Sequence, residues 1–468
     1  MIGARAAVGL VCLVLLAGCA SSHAYTVKRA DAVVPCQMSV PERATLLGVA
    51  ISGGGSRAAL YGAAGLEALA GVRTADGAAL IEKISHLSSV SGGSIAATYY
   101  TLKKPGRDVN VLDADGTLSA AYRTFFEQYR DAVSQNFETS LIWRQLLSFR
   151  WINSALAART LAEIFQKRLF DDARMEDISR REKAGDSPGL IINTTLYNNG
   201  RRFALTTLPA EAFEYDFFAD LERSLQARGQ VMEPAPYIRE RWKRMQPMTP
   251  LDIHMDPCPA SLAGAVTASA SFPPLVGPVT LQVGGENTYW HAGDGGLYEN
   301  QGIETLLFLY LKQLQAKRTK RALVLAFDSS YPFAVGERRL GLRSLPFTLF
   351  TFDFSRIPSI MEERATTYQA LFFRTLQLEG VFPDSKTVTG IILRHTDAKW
   401  AAEMSDLPPA CKAEPKPLAS PEAVRERIAE IPTALELPSE CDRQLLVAAA
   451  TKLVAEHRDE ILEFLNRP

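Results

Sequence analysis

The fold is decided by two stretches, Ile51-Ser52-Gly53-Gly54-Gly55-Ser56-Arg57 and Ser89-Val90-Ser91-Gly92-Gly93-Ser94, each of which follows an apolar run and opens a helical pattern. Residues 46–51 have the length and composition of a buried parallel strand, and residues 58–70 those of a helix packed on a sheet. Residues 86–90 and 92–102 repeat this pattern. Two such units place both turns at the carboxyl edge of one sheet, where ligands bind in open α/β folds.

The residue types in these turns suit acyl transfer. Three consecutive glycines leave backbone N–H groups unobstructed at a helix N-terminus, where they can stabilise an oxyanion. Ser91 resembles the nucleophile elbow Gly-x-Ser-x-Gly, with Gly93 in place and Ser89 instead of the first glycine. Each motif taken alone also fits tight helix–strand packing, a phosphate-binding loop or an ordinary turn.

A third motif, Trp290-His291-Ala292-Gly293-Asp294-Gly295-Gly296, places an aspartate after an apolar stretch and before two glycines. Gly-Gly-Gly-x-Arg, a serine elbow and Asp-Gly-Gly, in this order, resemble the patatin-like phospholipase family, whose core is similar to that of the cytosolic phospholipases A2. The resemblance runs from about residue 44 to about residue 394 and is supported by three further segments: Gly189–Thr195, Asn199–Phe203 and Thr267–Pro274.

The resemblance implies an α/β fold, a three-layer sandwich with a mostly parallel central sheet. It also implies a lipid acyl hydrolase that uses a Ser–Asp dyad, with Ser91 as nucleophile and Asp294 as base, and that needs neither a metal nor another cofactor. Ala58 stands where many members have glycine. The remaining expected site residues are the oxyanion loop, Gly53, Gly54, Gly55 and Arg57, and the motif glycines Gly93, Gly295 and Gly296.

The six histidines bear on the choice between a dyad and a triad. Ser91, Asp294 and His395 follow the chain order of an α/β-hydrolase triad. The patatin-like context of the glycine loop and of the Asp-Gly-Gly motif favours the dyad. In a dyad the carboxylate takes the serine proton directly, which requires Asp294 to be partly desolvated so that its basicity rises.

Composition sets broader limits. The 468 residues are 47% hydrophobic and 22% charged, enough for a large core in one or two domains. A net charge of −1 argues against nucleic acid as a partner, because no basic surplus is present to neutralise phosphates. No Cys-x-x-Cys or His-x-x-x-His spacing indicates a structural metal.

The first twenty residues predict export and anchoring. One early charge, Arg5, precedes an apolar run that ends in Leu16-Ala17-Gly18-Cys19, which resembles the lipobox of bacterial lipoproteins. We therefore expect acyl chains on Cys19 and a protein held at the outer membrane, because residues 20–22 lack the aspartate that retains such proteins in the inner membrane. The alternative is an ordinary signal peptide or membrane anchor.

The expected organisation is a signal peptide over residues 1–18, a tether over 19–43, and a catalytic domain over 44–400. This domain contains a helical insertion at about 105–188, and a Pro-rich linker with helices follows over 401–468. Aromatic residues of the insertion predict helices that face the core or roof an acyl-chain pocket. The Phe-rich stretch Phe347–Phe354 predicts either buried packing or a lipid contact.

Four cysteines remain in the mature chain, and an even number in an exported protein favours disulfides with three possible pairings. Of these pairings we favour Cys411 with Cys441 and Cys36 with Cys258.

The sequence thus predicts a phospholipase A type enzyme of the bacterial envelope that acts on membrane lipids or other acyl esters. Lysophospholipase, thioesterase and acyltransferase activities fit the same site. A catalytically idle, lipid-binding lipoprotein is the alternative from another class, and the serine at position 89 is the feature that favours it.

Overall fold

The computed structural model describes residues 23–148, 154–231, 233, 235–273, 276–330, 356–415 and 418–467. Two predicted features lie outside these residues, namely the signal peptide with Cys19 and the stretch Phe347–Phe354.

A nine-stranded sheet organises the described part of the chain, in the order β1-β6-β7-β4-β3-β2-β8-β9, with β5 paired to β4. Strands β1·β6, β2·β3, β3·β4, β2·β8 and β8·β9 pair in parallel, whereas β4·β5, β4·β7 and β6·β7 are antiparallel. The strands are β1 (Tyr25–Val27), β2 (Thr45–Ile51), β3 (Ile84–Val90), β4 (Gly189–Leu196), β5 (Arg201–Leu205), β6 (Val279–Val283), β7 (Tyr289–Asp294), β8 (Arg321–Asp328) and β9 (Val388–Arg394).

Helices cover both faces of this sheet. They are α1 (Gly55–Ala70), α2 (Gly92–Lys103), α3 (Ala120–Val133), α4 (Glu138–Ser148), α5 (Ser154–Phe165), α6 (Met175–Ala184), α7 (Phe217–Ala227), α8 (Pro236–Met245), α9 (Leu262–Ser269), α10 (Ile303–Gln315), α11 (Arg356–Leu378), α12 (Pro409–Lys412), α13 (Pro421–Glu430) and α14 (Glu440–Asn466). None of these described helices combines the length and apolar character needed to cross a bilayer.

Strand β2 shows why the molecule has three layers. Its side chains alternate between two faces, so that Leu47, Val49 and Ile51 enter one hydrophobic core while Leu46 and Ala50 enter another. The first core contains α1, α2 and α14, and the second contains α10. This arrangement confirms the predicted three-layer α/β sandwich with a mostly parallel sheet.

The direction of strand addition reverses at β2. Strands β3 and β4 extend the sheet to one side of it, and β8 and β9 extend it to the other. In open α/β sheets the crevice at such a switch point, outside the carboxyl ends of the strands, is where ligands bind. The glycine loop that follows β2 therefore lies at the position in the fold best suited to a site.

The insertion is helical, as predicted, and its first half faces the core. Five of its apolar side chains are buried, namely those of Phe125, Tyr129, Val133, Phe137 and Leu141. Further along α4, Trp143, Leu146 and Leu147 are 60%, 50% and 78% exposed, so these three side chains do not face the core.

Residues 25–43, which belong to the predicted tether, are fixed to the sheet domain. Strand β1 adds to the sheet edge beside β6, with Tyr25 opposite Leu281. Cys36 forms a disulfide with Cys258, and Val34 is buried beside it. The segment is held because a short strand and a cross-link fix both parts of it to the domain.

The C-terminal region joins the first core. Cys411 and Cys441 form the second disulfide, so both favoured pairings are confirmed. Helix α14 packs on α1 and buries Leu445 and Leu446 in the core that also contains Leu47. Residues 401–468 are therefore structurally continuous with the sheet domain.

The charged segment from Pro209 to Pro250 contributes to the second core. It forms α7 and α8, whose Phe217, Phe218 and Trp242 are buried. Its many charges obscure this aromatic face in the sequence.

Candidate active site

Ser91 lies at the junction of β3 and α2 with a strained backbone. Its φ of 50° and ψ of −120° are rare for a residue with a Cβ. The backbone N–H of Ser91 donates to Ser269 Oγ at 2.8 Å, and its carbonyl accepts from Ser94 N at 2.9 Å. Strain of this kind costs about 1–3 kcal/mol and persists only where the surroundings enforce it. The conformation is that of a nucleophile elbow, with the side chain partly exposed.

The motif glycines are explained by close backbone approach. A Cβ on Gly93 would lie 2.4 Å from the Ile51 carbonyl oxygen, and one on Gly295 would lie 2.5 Å from the Asn193 carbonyl oxygen. A Cβ on Gly296 would lie 2.7 Å from a side-chain oxygen of Asn300. Side chains at these positions would push apart the strands and loops that carry the site.

Ser89 does not disturb the elbow. It belongs to β3, is fully buried, and donates its hydroxyl to the Ile191 carbonyl at 3.2 Å. Strand β3 therefore accepts a serine where the motif has glycine, which removes the structural reason for regarding the site as idle.

Asp294 ends β7 and is brought to Ser91 by the pairing of β7 with β4. The Ser91 hydroxyl donates to the Asp294 carboxylate, and the Gly296 N–H donates to Asp294 Oδ1 at 2.8 Å. The residue is 3% exposed, and this burial raises the pKa of its carboxyl to about 7 against the opposing effect of the two donors. The structure thus juxtaposes the two predicted dyad residues and makes the carboxylate a stronger base than a solvated aspartate.

A buried polar network supports the elbow, and its members were not among the predicted site residues. Ser269 Oγ, which accepts from the Ser91 N–H, donates to the Asn193 carbonyl at 2.6 Å. The Asn193 amide in turn donates to the Ser88 hydroxyl and to the Ser89 carbonyl. Asn193 and Ser269 both occur in segments that supported the family resemblance. The sequence therefore marked these two residues without indicating that they hold the elbow in place.

The glycine loop offers two free backbone donors. Gly53 N–H donates to the Asn300 carbonyl at 2.9 Å, and Ser56 N–H donates to the Ala434 carbonyl at 2.8 Å. Between them, the N–H groups of Gly54 and Gly55 have no acceptor within the described residues. The expectation that Gly53 contributes a donor therefore needs correction, because its N–H is already occupied.

Arg57 stabilises this loop from its buried side. Its guanidinium is completely buried and donates to the Ser329 carbonyl from Nε and Nη2, at 3.0 and 2.7 Å. It also donates to the Ile431 carbonyl at 2.5 Å and to Thr433 Oγ1 at 3.1 Å. Arg57 therefore holds loop segments together, and its predicted place in the oxyanion loop is that of a positioning residue.

His395 lies away from the serine and the aspartate. It follows β9, three strand spacings or about 14 Å from β3 across the sheet. Its Nδ1 lies 3.2 Å from the Asp328 carbonyl oxygen, and burial lowers its pKa to about 3. No histidine in the described part of the chain is hydrogen-bonded to Ser91 or Asp294.

Among the described residues, one group has the spacing of metal ligands: Cys36, Asp256 and Cys258. Both sulfurs are joined in a disulfide, and the carboxylate pairs with Lys28 at 3.1 Å. This group is therefore a cross-link with an ion pair beside it.

A family model for the patatin-like phospholipases matches residues 49–307, which include the glycine loop, Ser91 and Asp294. The chain belongs to the patatin-like phospholipase family. No curated protein matches the sequence.

Two solved proteins are similar in structure to this patatin-like chain. Human GIVD cytosolic phospholipase A2 is 11% identical with a TM-score of 0.47, and the match covers 90% of this chain and 60% of that one. VipD from Legionella pneumophila is 11% identical with a TM-score of 0.32, and the match covers 90% of this chain and 67% of VipD. The patatin-like chain thus spans 60% of the length of the human enzyme.

The oxyanion loop is tested by Gly54→Ala. The φ of Gly54 is +142°, and a Cβ there would lie 2.9 Å from the Ser329 carbonyl oxygen, so the loop must shift. Loss of an oxyanion donor lowers turnover on the order of 100- to 1,000-fold. We expect a loss of this size for ester hydrolysis per folded molecule. Gly77→Ala is the matched control, since it has a φ of +86° with nothing within 4 Å of a Cβ. Equal turnover in both variants would show that the oxyanion is bound elsewhere.

The burial of Asp294 is tested by the pH dependence of stability. A pKa raised to about 7 means that the folded protein keeps a proton that the unfolded chain loses near pH 4. Stability from this group is therefore complete below about pH 4 and is lost between about pH 4 and pH 7, by about 1.4 kcal/mol per pH unit, with no further loss once the folded carboxyl has ionised. Asp294→Asn, which cannot ionise, should match the parent near pH 4 and exceed it in free energy of unfolding at pH 8. Denaturant titrations measure this difference, and equal stability at pH 8 would contradict a buried, raised-pKa carboxyl.

Proposed function

We propose that this protein is a lipid acyl hydrolase of the phospholipase A type that cleaves carboxylic esters with a Ser91–Asp294 dyad. The observation that carries the proposal is the hydrogen bond from the strained Ser91 hydroxyl to a buried carboxylate whose pKa is raised to about 7. Family membership supports lipid esters as the substrate class. Two unoccupied N–H groups, those of Gly54 and Gly55, supply the remaining requirement of the reaction.

In the first half of the reaction, Ser91 Oγ attacks the ester carbonyl carbon while the Asp294 carboxylate accepts the hydroxyl proton. The carbonyl oxygen gains negative charge and is stabilised by the N–H groups of Gly54 and Gly55. The intermediate then collapses, the bond to the alcohol oxygen breaks, and Asp294 returns the proton to that oxygen. The products are a free alcohol, such as a lysophospholipid, and an acyl chain esterified to Ser91.

In the second half, water replaces the alcohol and the steps reverse. Asp294 accepts a proton from the water as the water oxygen attacks the acyl carbonyl. Collapse breaks the bond to Ser91 Oγ, which recovers its proton from Asp294, and a fatty acid leaves. A carboxyl with a pKa near 7 suits this alternation, because proton transfer is most effective when the pKa lies near the working pH.

The same acyl-enzyme would serve a lysophospholipase or a thioesterase, and an acyltransferase would differ in passing the acyl group to an alcohol instead of water. Mass spectrometry of the products from a phospholipid with two different acyl chains distinguishes these reactions. Free fatty acid with a lysophospholipid supports the phospholipase assignment, whereas acyl transfer to an added alcohol identifies the transferase.

The dyad is tested by three substitutions in the full chain. Ser91→Ala and Asp294→Asn should each abolish ester hydrolysis while preserving cooperative unfolding, and the double variant should lose no more than either single one because the two residues act as a unit. His395→Ala should keep most of the activity per folded molecule. A loss in His395→Ala equal to that in Ser91→Ala, with folding intact, would show that a triad operates instead.

We further propose that the protein is held at the bacterial outer membrane through acyl chains on Cys19, on the basis of Leu16-Ala17-Gly18-Cys19. Cys19→Ala should block lipidation and normal maturation. A variant that starts at Ala24 behind a cleavable signal peptide keeps β1 and Cys36 and should hydrolyse water-soluble esters at the parent rate. It should act less well on bilayer lipid, because tethering raises the local enzyme concentration.

Cell fractionation after a high-salt wash measures the anchoring. Persistence of the Cys19→Ala protein in the outer-membrane fraction would contradict the acyl anchor.

A further inference from the structure

The free N–H groups of Gly54 and Gly55 lie between two N–H groups that are already hydrogen-bonded. The Gly53 N–H is bonded to the Asn300 carbonyl on one side, and the Ser56 N–H is bonded to the Ala434 carbonyl on the other. Because peptide groups are planar and joined through two dihedrals each, fixing both ends of this short run limits where the middle N–H groups can point. The direction of these donors therefore depends on what holds Ala434.

Ala434 belongs to residues 431–436, which we call the strap. The strap connects α13 to α14 in the C-terminal region. A Cβ on Gly55 would lie 2.2 Å from the Ala434 carbonyl oxygen, so the two backbones are in direct contact. The strap also provides two of the acceptors of the buried Arg57 guanidinium, the Ile431 carbonyl and the Thr433 hydroxyl.

The strap is itself held by the helical insertion. The Leu435 N–H donates to Glu138 Oε2 at 3.0 Å, and the Leu435 carbonyl accepts from the N–H groups of Phe137 and Glu138 at 2.9 and 3.2 Å. Glu436 accepts from Asn136 at 2.6 Å. The insertion, the strap and the glycine loop thus form one continuous series of hydrogen bonds.

The Cys411–Cys441 disulfide reinforces this series from the other end. It joins α12 to the start of α14, and Arg427 on α13 pairs with Asp442 on α14 at 2.6 Å. Both helices that flank the strap are therefore fixed relative to each other. The strap lies beyond residues 49–307, over which the family model matches, so it is an element of this chain's C-terminal region.

We propose that the strap is a positioning element of the oxyanion hole, and that the C-terminal region is part of the catalytic unit. It orients the Gly54 and Gly55 N–H groups by holding the Ser56 N–H and the Arg57 guanidinium. The inference rests on the acyl-hydrolase function proposed above. It predicts that loosening the strap weakens transition-state stabilisation and leaves substrate binding nearly unchanged.

Two variants loosen the strap through side chains that do not touch the reacting atoms. Thr433→Val removes an acceptor of Arg57, and Glu138→Ala removes the acceptor of the Leu435 N–H. Each should lower kcat on a water-soluble ester by about tenfold with little change in KM. A displacement of about 1 Å costs on the order of 100-fold, and the loss of one strap contact should displace the donors by less than that. The inhibition constant of an alkyl trifluoromethyl ketone, which forms a tetrahedral oxyanion on the serine, should rise by the same factor.

Conservative partners and a remote control separate positioning from general damage. Thr433→Ser and Glu138→Gln keep an acceptor and should restore both kcat and ketone affinity. Thr451→Val removes a hydroxyl of α14 whose hydrogen bond within the described part of the chain is to Val447 of the same helix, and should change neither quantity. Thermal unfolding of each variant establishes that the proteins compared are folded.

Parent kcat in both Thr433→Val and Glu138→Ala would overturn the proposal. So would a fall in kcat that the ketone affinity does not follow, or a rise in KM at constant kcat. Fluorophosphonate labelling of the parent and of Ser91→Ala is run in parallel. Labelling of Ser91→Ala at the parent level would refute the acyl-hydrolase proposal itself, whatever the strap variants show.

Discussion

The strained backbone of Ser91 is the constraint on which the other features of the site depend. A φ of 50° turns the hydroxyl out of the sheet edge at the end of β3, and it can be held only if every neighbouring group fits around it. Ser269 fixes the N–H of Ser91, and Gly93 allows helix α2 to start directly against the end of β2. The same close approach sets the glycine loop beside the serine, so that the proposed nucleophile and the proposed oxyanion donors are placed by one packing arrangement.

Burial of Asp294 links catalysis to stability. The carboxyl is removed from water between β4 and the Asp-Gly-Gly turn, and among the described residues its ionised form receives hydrogen bonds from Ser91 and Gly296. The desolvation that raises its pKa makes it an effective base, and it also makes the ionised state costly for the fold. Under the proposed dyad mechanism, the protein gives up stability at neutral pH for a carboxylate that acts without an imidazole.

The sequence was sufficient to predict the strands that lead into the glycine loop and Ser91, because they are apolar runs followed by compact glycine motifs, and the family resemblance supplied the pairing of Ser91 with Asp294. It left three disulfide pairings open, of which the favoured one is present. It did not reveal β1, since three residues show no usable periodicity. It assigned Gly53 a free donor, because only the fold brings the Asn300 carbonyl to that N–H. The role of the strap was also hidden, as the Arg57–Ile431 contact joins residues separated by 374 positions.

The central claim is that the Asp294 carboxylate, and no imidazole, activates Ser91. It is tested most directly by the pH dependence of the rate at which an uncharged fluorophosphonate modifies Ser91. The account predicts a rate that rises through a single ionisation near pH 7, where the raised pKa of Asp294 lies, and then levels off. A rate controlled by an ionisation near pH 3, where the pKa of His395 lies, or one that is constant from pH 5 to pH 9, would contradict it.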